Sequence, residues 1–184
     1  MKVASIASCL VAAFLAAPAM AAPTVLIEPV RAEVDKNWLY EIKDSRAKAG
    51  ALRESDARAM ADEMARSLQA ALDKALRDQG FDVVGAPSNA AVRLVATLDN
   101  LYVSAPENTG SGVTAFARLA GRATLRVQAR DASGAVVMQS EQRADAGDMG
   151  HLQRATNVSN RFWFDDLFRD WSGEVARELK QKAR

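Results

Sequence analysis

The chain has 184 residues, with 24 Lys and Arg against 23 Asp and Glu, one His and one Cys. A formal charge of +1 at pH 7 excludes a global electrostatic pull toward nucleic acid or an anionic membrane. A lone cysteine excludes a disulfide framework, and the length suits one domain with a sizeable core.

The first residues read as an address. Lys2 precedes an apolar run from Val3 to Ala17, and Ala19-Met20-Ala21 forms a small-x-small cleavage site. The expected division is a signal peptide over 1–21 and a single α+β domain over 22–184. The run is too short and wrongly flanked for a retained transmembrane span, and no other long apolar segment follows. Ile6-Ala7-Ser8-Cys9 resembles a lipoprotein box, but the apolar core continues after it through Phe14 and Leu15. Signal architecture therefore favours cleavage after Ala21 over lipid anchoring at Cys9, and a periplasmic location. Cleavage leaves 23 basic and 23 acidic side chains and no thiol.

Thr24 to Val30 predicts a first strand, with pairing stopped on one side by Pro29. Val34 to Arg53 carries Trp38, Leu39, Tyr40 and Ile42 among many charges, and reads as a covering loop or a short helix. Ser55 to Gly80 is the organising element. Ala57, Met60, Ala61, Met64, Leu68, Leu72, Ala75 and Leu76 recur at spacings of three and four, the stripe of an amphipathic helix. Ser55 is the expected N-cap. Gly80 suits the left-handed C′ position, with Phe81 folding back on Leu76.

Phe81 to Val84 predicts a short strand, and Val92 to Ser104 a longer one with period-two alternation. Ala105 to Thr114 is turn-rich. Leu119 to Asp131 is the clearest strand. Leu119, Gly121, Ala123, Leu125, Val127 and Ala129 share one face, and Arg118, Arg122, Arg126 and Arg130 the other, about 13 Å apart. Asp131-Ala132-Ser133-Gly134 is a turn that returns the chain antiparallel through Ala135 to Arg143. With Asp131 opposite Gly134, Arg126 faces Gln139 and Thr124 faces Glu141. Ala144 to Asn160 is irregular. Phe162 to Lys182 closes the chain as a helix striped by Phe164, Leu167, Phe168, Trp171, Val175 and Leu179, with Gly173 offering a place for close packing. Two one-sided helices and one-sided strands predict a two-layer sandwich. Its mixed, mostly antiparallel sheet has about four or five strands, with both helices on one face.

Chemistry-bearing constellations are sparse. Asp145, Asp148 and His151 have spacing a metal could use, but the segment holds two glycines and no second histidine. There is no nucleophile elbow, no phosphate loop, and no paired carboxylates on one helix face. No catalytic residue, metal ligand or cofactor is therefore assigned. The arginine row Arg118, Arg122, Arg126 and Arg130 is a candidate docking face for an acidic partner, a glycan or lipid headgroups. It lacks the aromatics of an RNA-reading sheet, so no nucleic acid is expected. Trp38, Tyr40, Phe162 and Trp163 are candidates for an apolar groove.

The segments "VLIEPV", "DARAMADEMARSLQAALDKAL", "GFDVVGAPSNAAVRLVATLDNL", "RATLRVQARDASGAVVMQSEQRAD" and "FWFDDLFRDWSGEVARELKQ" together resemble the DUF3313 family of exported bacterial proteins, many of them lipoproteins. The strand order is also similar to the amino-terminal domain of TolB. The resemblance implies an envelope accessory role and carries over no catalytic residue. The expected function is a non-enzymatic periplasmic accessory protein that binds another envelope protein or outer-membrane component. The alternatives are a carrier or sensor of a small apolar or lipidic ligand, and a minor hydrolase or metalloenzyme using the Asp145–His151 loop.

Overall fold

The computed structural model describes residues 22–44, 52–87, 90–104, 116–117, 119–147, 153–154 and 157–182. Residues 1–21, the expected signal peptide with Cys9, lie outside them, as do Arg118, Asp148 and His151. In chain order the elements are β1 (Thr24–Ile27), β2 (Arg31–Val34), α1 (Lys36–Asp44), α2 (Glu54–Asp78), β3 (Asp82–Val83), β4 (Val92–Val103), β5 (Phe116–Ala117), β6 (Gly121–Asp131), β7 (Val136–Ala146), β8 (Gln153–Arg154) and α3 (Asn157–Lys182). The main sheet runs β3-β1-β4-β6-β7, with β2 also pairing β4. β1 pairs in parallel with β3 and with β4, β2 pairs in parallel with β4, and β4, β6 and β7 form an antiparallel ladder. The α+β sandwich expected from the two amphipathic helices is the architecture observed.

α2 starts one residue before the expected cap. Arg53 holds the N-cap position, and Asp56 reaches back to accept its N–H at 2.9 Å. A carboxylate in the first turn serves here in place of the Ser55 hydroxyl. The C-terminus closes as the sequence predicts. Gly80 has φ +88°, its N–H donates to Arg77 C=O at 2.9 Å, and Phe81 N–H donates to Leu76 C=O at 3.1 Å, the two bonds of a Schellman motif.

Leu68, Leu72 and Leu76 of α2 and Phe164, Phe168, Val175 and Leu179 of α3 are buried against Val25, Leu94, Leu98, Leu125 and Val127 of the sheet. The first strand is broken in two. Pro29 supplies no donor, Val30 N–H donates to Gln69 Oε1 of α2 at 2.9 Å, and pairing to β4 resumes at Arg31.

The hairpin register differs from the expected one by two residues. The β6–β7 loop is a residue longer, with Gly134 at φ +87° and Asp131 N–H donating to Ala135 C=O at 2.9 Å. A bulge beside Val136 adds the second. Arg126 therefore faces Glu141, Gln128 faces Gln139, and Arg122 faces Asp145. Gly173 does not admit close packing: a Cβ there would meet nothing within 4 Å. The position that does is Gly121, where Tyr102 O and the Phe164 ring come too near for any side chain.

Candidate interaction face

α2 and α3 cover one face of the sheet, which sends the alternate residues of β4, β6 and β7 outward. On that outer face stand Arg93 and Asp99 of β4, Arg122, Arg126 and Arg130 of β6, and Glu141, Arg143 and Asp145 of β7. The arginine row is not uniform. Arg126 donates to Asp99 at 2.6 Å and to Glu141 at 3.0 Å. Its hydrogen bond to Glu141, then the charges of Glu141 and Asp99, raise its pKa further above the ordinary guanidinium range. Arg122 lies 3.5 Å from Asp35 and 5.2 Å from the centre of the Tyr102 ring, a cation–π distance.

Arg130 is held by Gln128 Oε1 at 2.7 and 2.9 Å and faces Arg93 directly across the β4–β6 ladder. Neither Arg93 nor Arg130 has a carboxylate partner among the described residues. Like charges directly opposite on a ladder oppose folding, so this end of the face sets two arginines together outside any ion pair among the described residues, with Glu28 and Asp73 lining the cleft that Arg93 borders. Sequence alternation places Arg93 on the outer side, but not opposite Arg130. That depends on the β4–β6 register, which the sequence does not carry.

At the other end of the row a cleft of about 270 Å³ is lined by Asp35, Asn37, Asn100, Arg122, Thr124 and Arg143. Asn100 makes it. With φ +52° it forms a bulge in β4, a conformation asparagine tolerates. Asp35 caps α1, accepting from Asn37 N–H at 2.8 Å and Trp38 N–H at 3.2 Å. This polar cleft joins a fixed carboxylate to two guanidiniums.

The four aromatics divide into two pairs. Trp38 is buried, with its ring edge-on to Tyr102 at 5.7 Å, while Tyr40 is 71% exposed on the opposite side of α1. Phe162 is 59% exposed and edge-on to Trp163 at 5.3 Å, and Trp163 lies over Gly147. No ring contact joins the α1 pair to the α3 pair among the described residues. Two larger clefts, of about 720 and 550 Å³, open along β1–β2 and α2, bordered by Asp62 and Arg66 in one and Asp73 and Arg77 in the other. Asp145 is exposed on β7. Among the described residues no group of three His, Cys, Asp or Glu could hold a metal ion, and no helix is long and apolar enough to cross a membrane.

No family model matches the chain, and no curated protein does. Solved structures do. A Xanthomonas campestris protein of the DUF330 family is similar at 12% identity over 92% of this chain and 90% of that one, with TM-score 0.50. The PelC dodecamer from Paraburkholderia phytofirmans matches at 14% identity, 86% of each chain and TM-score 0.47. A minor lipoprotein from Acinetobacter baumannii matches at 11% identity, 87% of this chain, 94% of that one and TM-score 0.39. The likeness is one of fold. It confirms neither the DUF3313 resemblance nor a TolB-like fold.

Proposed function

We propose that the chain is a non-enzymatic envelope accessory protein that docks an anionic envelope component on the outer face of its sheet. One observation carries this reading: Arg93 and Arg130 stand opposite one another, without carboxylates, on the face the helices leave uncovered. Retaining a repulsive pair costs stability, and a ligand bearing carboxylate or phosphate groups offsets that cost. Arg122 and Arg126 are tied to Asp35, Asp99 and Glu141. A carrier would need an enclosed apolar chamber, whereas the two larger clefts described are open and bordered by charges.

The test is association of the purified protein with isolated envelope material, followed by sedimentation in rising salt. Binding is expected to fall steeply with ionic strength and to drop at least about tenfold in an Arg93→Glu/Arg130→Glu variant, the scale of one or two charge-assisted contacts. Binding that is indifferent to both salt and charge reversal would overturn the assignment of this face.

A further inference from the structure

The sheet ends on one side at β7, which pairs with β6 alone. Among the described residues no strand pairs with its far edge along Val136–Ala146, the kind of edge that folded proteins blunt or pair. The opposite edge is blunted already: β3 covers its start, Pro29 offers no donor, and Gln69 takes the Val30 N–H.

Backbone phase fixes which groups of β7 are unpaired. Ala146 C=O accepts from Ala120 N–H at 2.8 Å and so points at β6. Alternation then aims the N–H and C=O groups of Gln139, Glu141, Arg143 and Asp145 at the open edge. Their side chains lie on the outer face, while Ser140, Gln142 and Ala144 lie on the helix side, opposite buried Val127, Leu125 and Ala123.

A second copy could continue this edge about a two-fold axis, strand antiparallel to strand. Phase requires odd residues to face odd residues, which leaves few registers. An axis at Glu141 sets that carboxylate against itself. An axis at Arg143 does the same to the guanidinium and sets Glu141 against Asp145, an axis at Ser140 leaves Arg143 opposite Val137, and an axis at Ala144 leaves Glu141 opposite Gly147. An axis at Gln142 places Glu141 opposite Arg143 of the second copy, Arg143 opposite its Glu141, and Gln139 opposite its Asp145. Every charge on the edge then meets an opposite charge or an amide.

One buried polar atom beside this axis lacks a partner. Gln142 Oε1 is buried and has no hydrogen-bond partner among the described residues, a state that native structures rarely leave unresolved. At this axis Gln142 faces its own copy in a non-hydrogen-bonded pair, the type that brings side chains closest, and two carboxamides can serve each other as donor and acceptor. The register also sets Val137 of one copy opposite Gly147 of the other. Exposed Val136 at one end of β7 thus approaches the other end, where Trp163 covers Gly147 and exposed Phe162 stands against Trp163.

We propose that two copies of this chain join edge to edge along β7, antiparallel about a two-fold at Gln142, in one continuous sheet whose outer face spans both. This does not depend on what the outer face binds.

Sedimentation velocity of the purified protein from about 1 to 100 µM, a range suited to an interface of modest area, is expected to show a reversible dimer. Glu141→Arg and Arg143→Glu each place like charges across the axis. Each alone is expected to weaken self-association at least tenfold, and an equimolar mixture of the two variants is expected to regain it, because every facing pair is then opposite in sign. In a Cys9→Ser chain, Gln142→Cys is expected to form a symmetric disulfide dimer on mild oxidation, whereas Ser140→Cys, which faces Ala144 of the second copy, is not. Circular dichroism checks that each variant is folded, and the cysteine readout is independent of the charge variants. A protein monomeric throughout, a dimer untouched by both charge reversals, or crosslinking equal at positions 140 and 142 would overturn the proposal.

Discussion

Gly121 has no room for a side chain. A Cβ there would collide with Tyr102 O and stand 2.7 Å from Phe164 Cζ. Gly121→Ala is expected to destabilise by about 2 kcal/mol or more, read as a lower urea midpoint, since backbone and a buried ring must both shift. Gly173 is the converse, with open space around it inside a helix. Gly173→Ala is expected to stabilise by about 0.5–1 kcal/mol in the same measurement. Both glycines lie within regular elements in the sequence, which shows what each lacks but not what crosses over it.

Asp131 shows what a turn residue does. Its carboxylate is held below the ordinary range by the Ser133 hydroxyl first, then by the N–H groups of Ala135, Ser133 and Gly134. A carboxylate whose pKa falls on folding stabilises above its unfolded value, and the effect is lost as pH falls through the folded value. Amide-exchange protection at Ser133 and Ala135 is therefore expected to be full at neutral pH and to decline below about pH 3.9. Protection at both amides that stays the same in an Asp131→Ala variant at neutral pH would contradict that role.

At the scale of elements, hydrophobic period was the reliable signal. The stripe on α2 is buried at Ala57, Ala61, Met64, Leu68, Leu72 and Leu76, and that on α3 at Phe164, Phe168, Trp171, Val175 and Leu179. Leu72→Ala is expected to cost about 2–5 kcal/mol by thermal or urea unfolding, because neither helix can collapse around the cavity without leaving the sheet. Register and breaks were not legible. The split between β1 and β2 depends on Gln69, 39 residues from the Val30 N–H it receives. The β6–β7 register depends on a bulge that no residue type announces. The opposition of Arg93 and Arg130 was hidden for the same reason: alternation gives the face of a side chain, and only pairing gives its neighbour. Arg93→Thr is expected to raise stability by about 0.2–1 kcal/mol by relieving like charge, while weakening envelope association.

At the scale of the whole molecule, helices on one side leave a charged sheet surface on the other. Asp35, Asp99 and Glu141 pair with the central arginines, while Arg93 and Arg130 at one end stand outside any ion pair among the described residues. Crosslinking in living cells tests whether this surface is the one used. A photoreactive residue placed at Gln128, between Arg126 and Arg130, should yield a discrete adduct with an envelope component that disappears in the Arg93→Glu/Arg130→Glu variant. The same probe at Lys74, exposed on α2, should yield none. Adducts from Lys74 but not from Gln128 would place binding on the helical side and contradict the assignment.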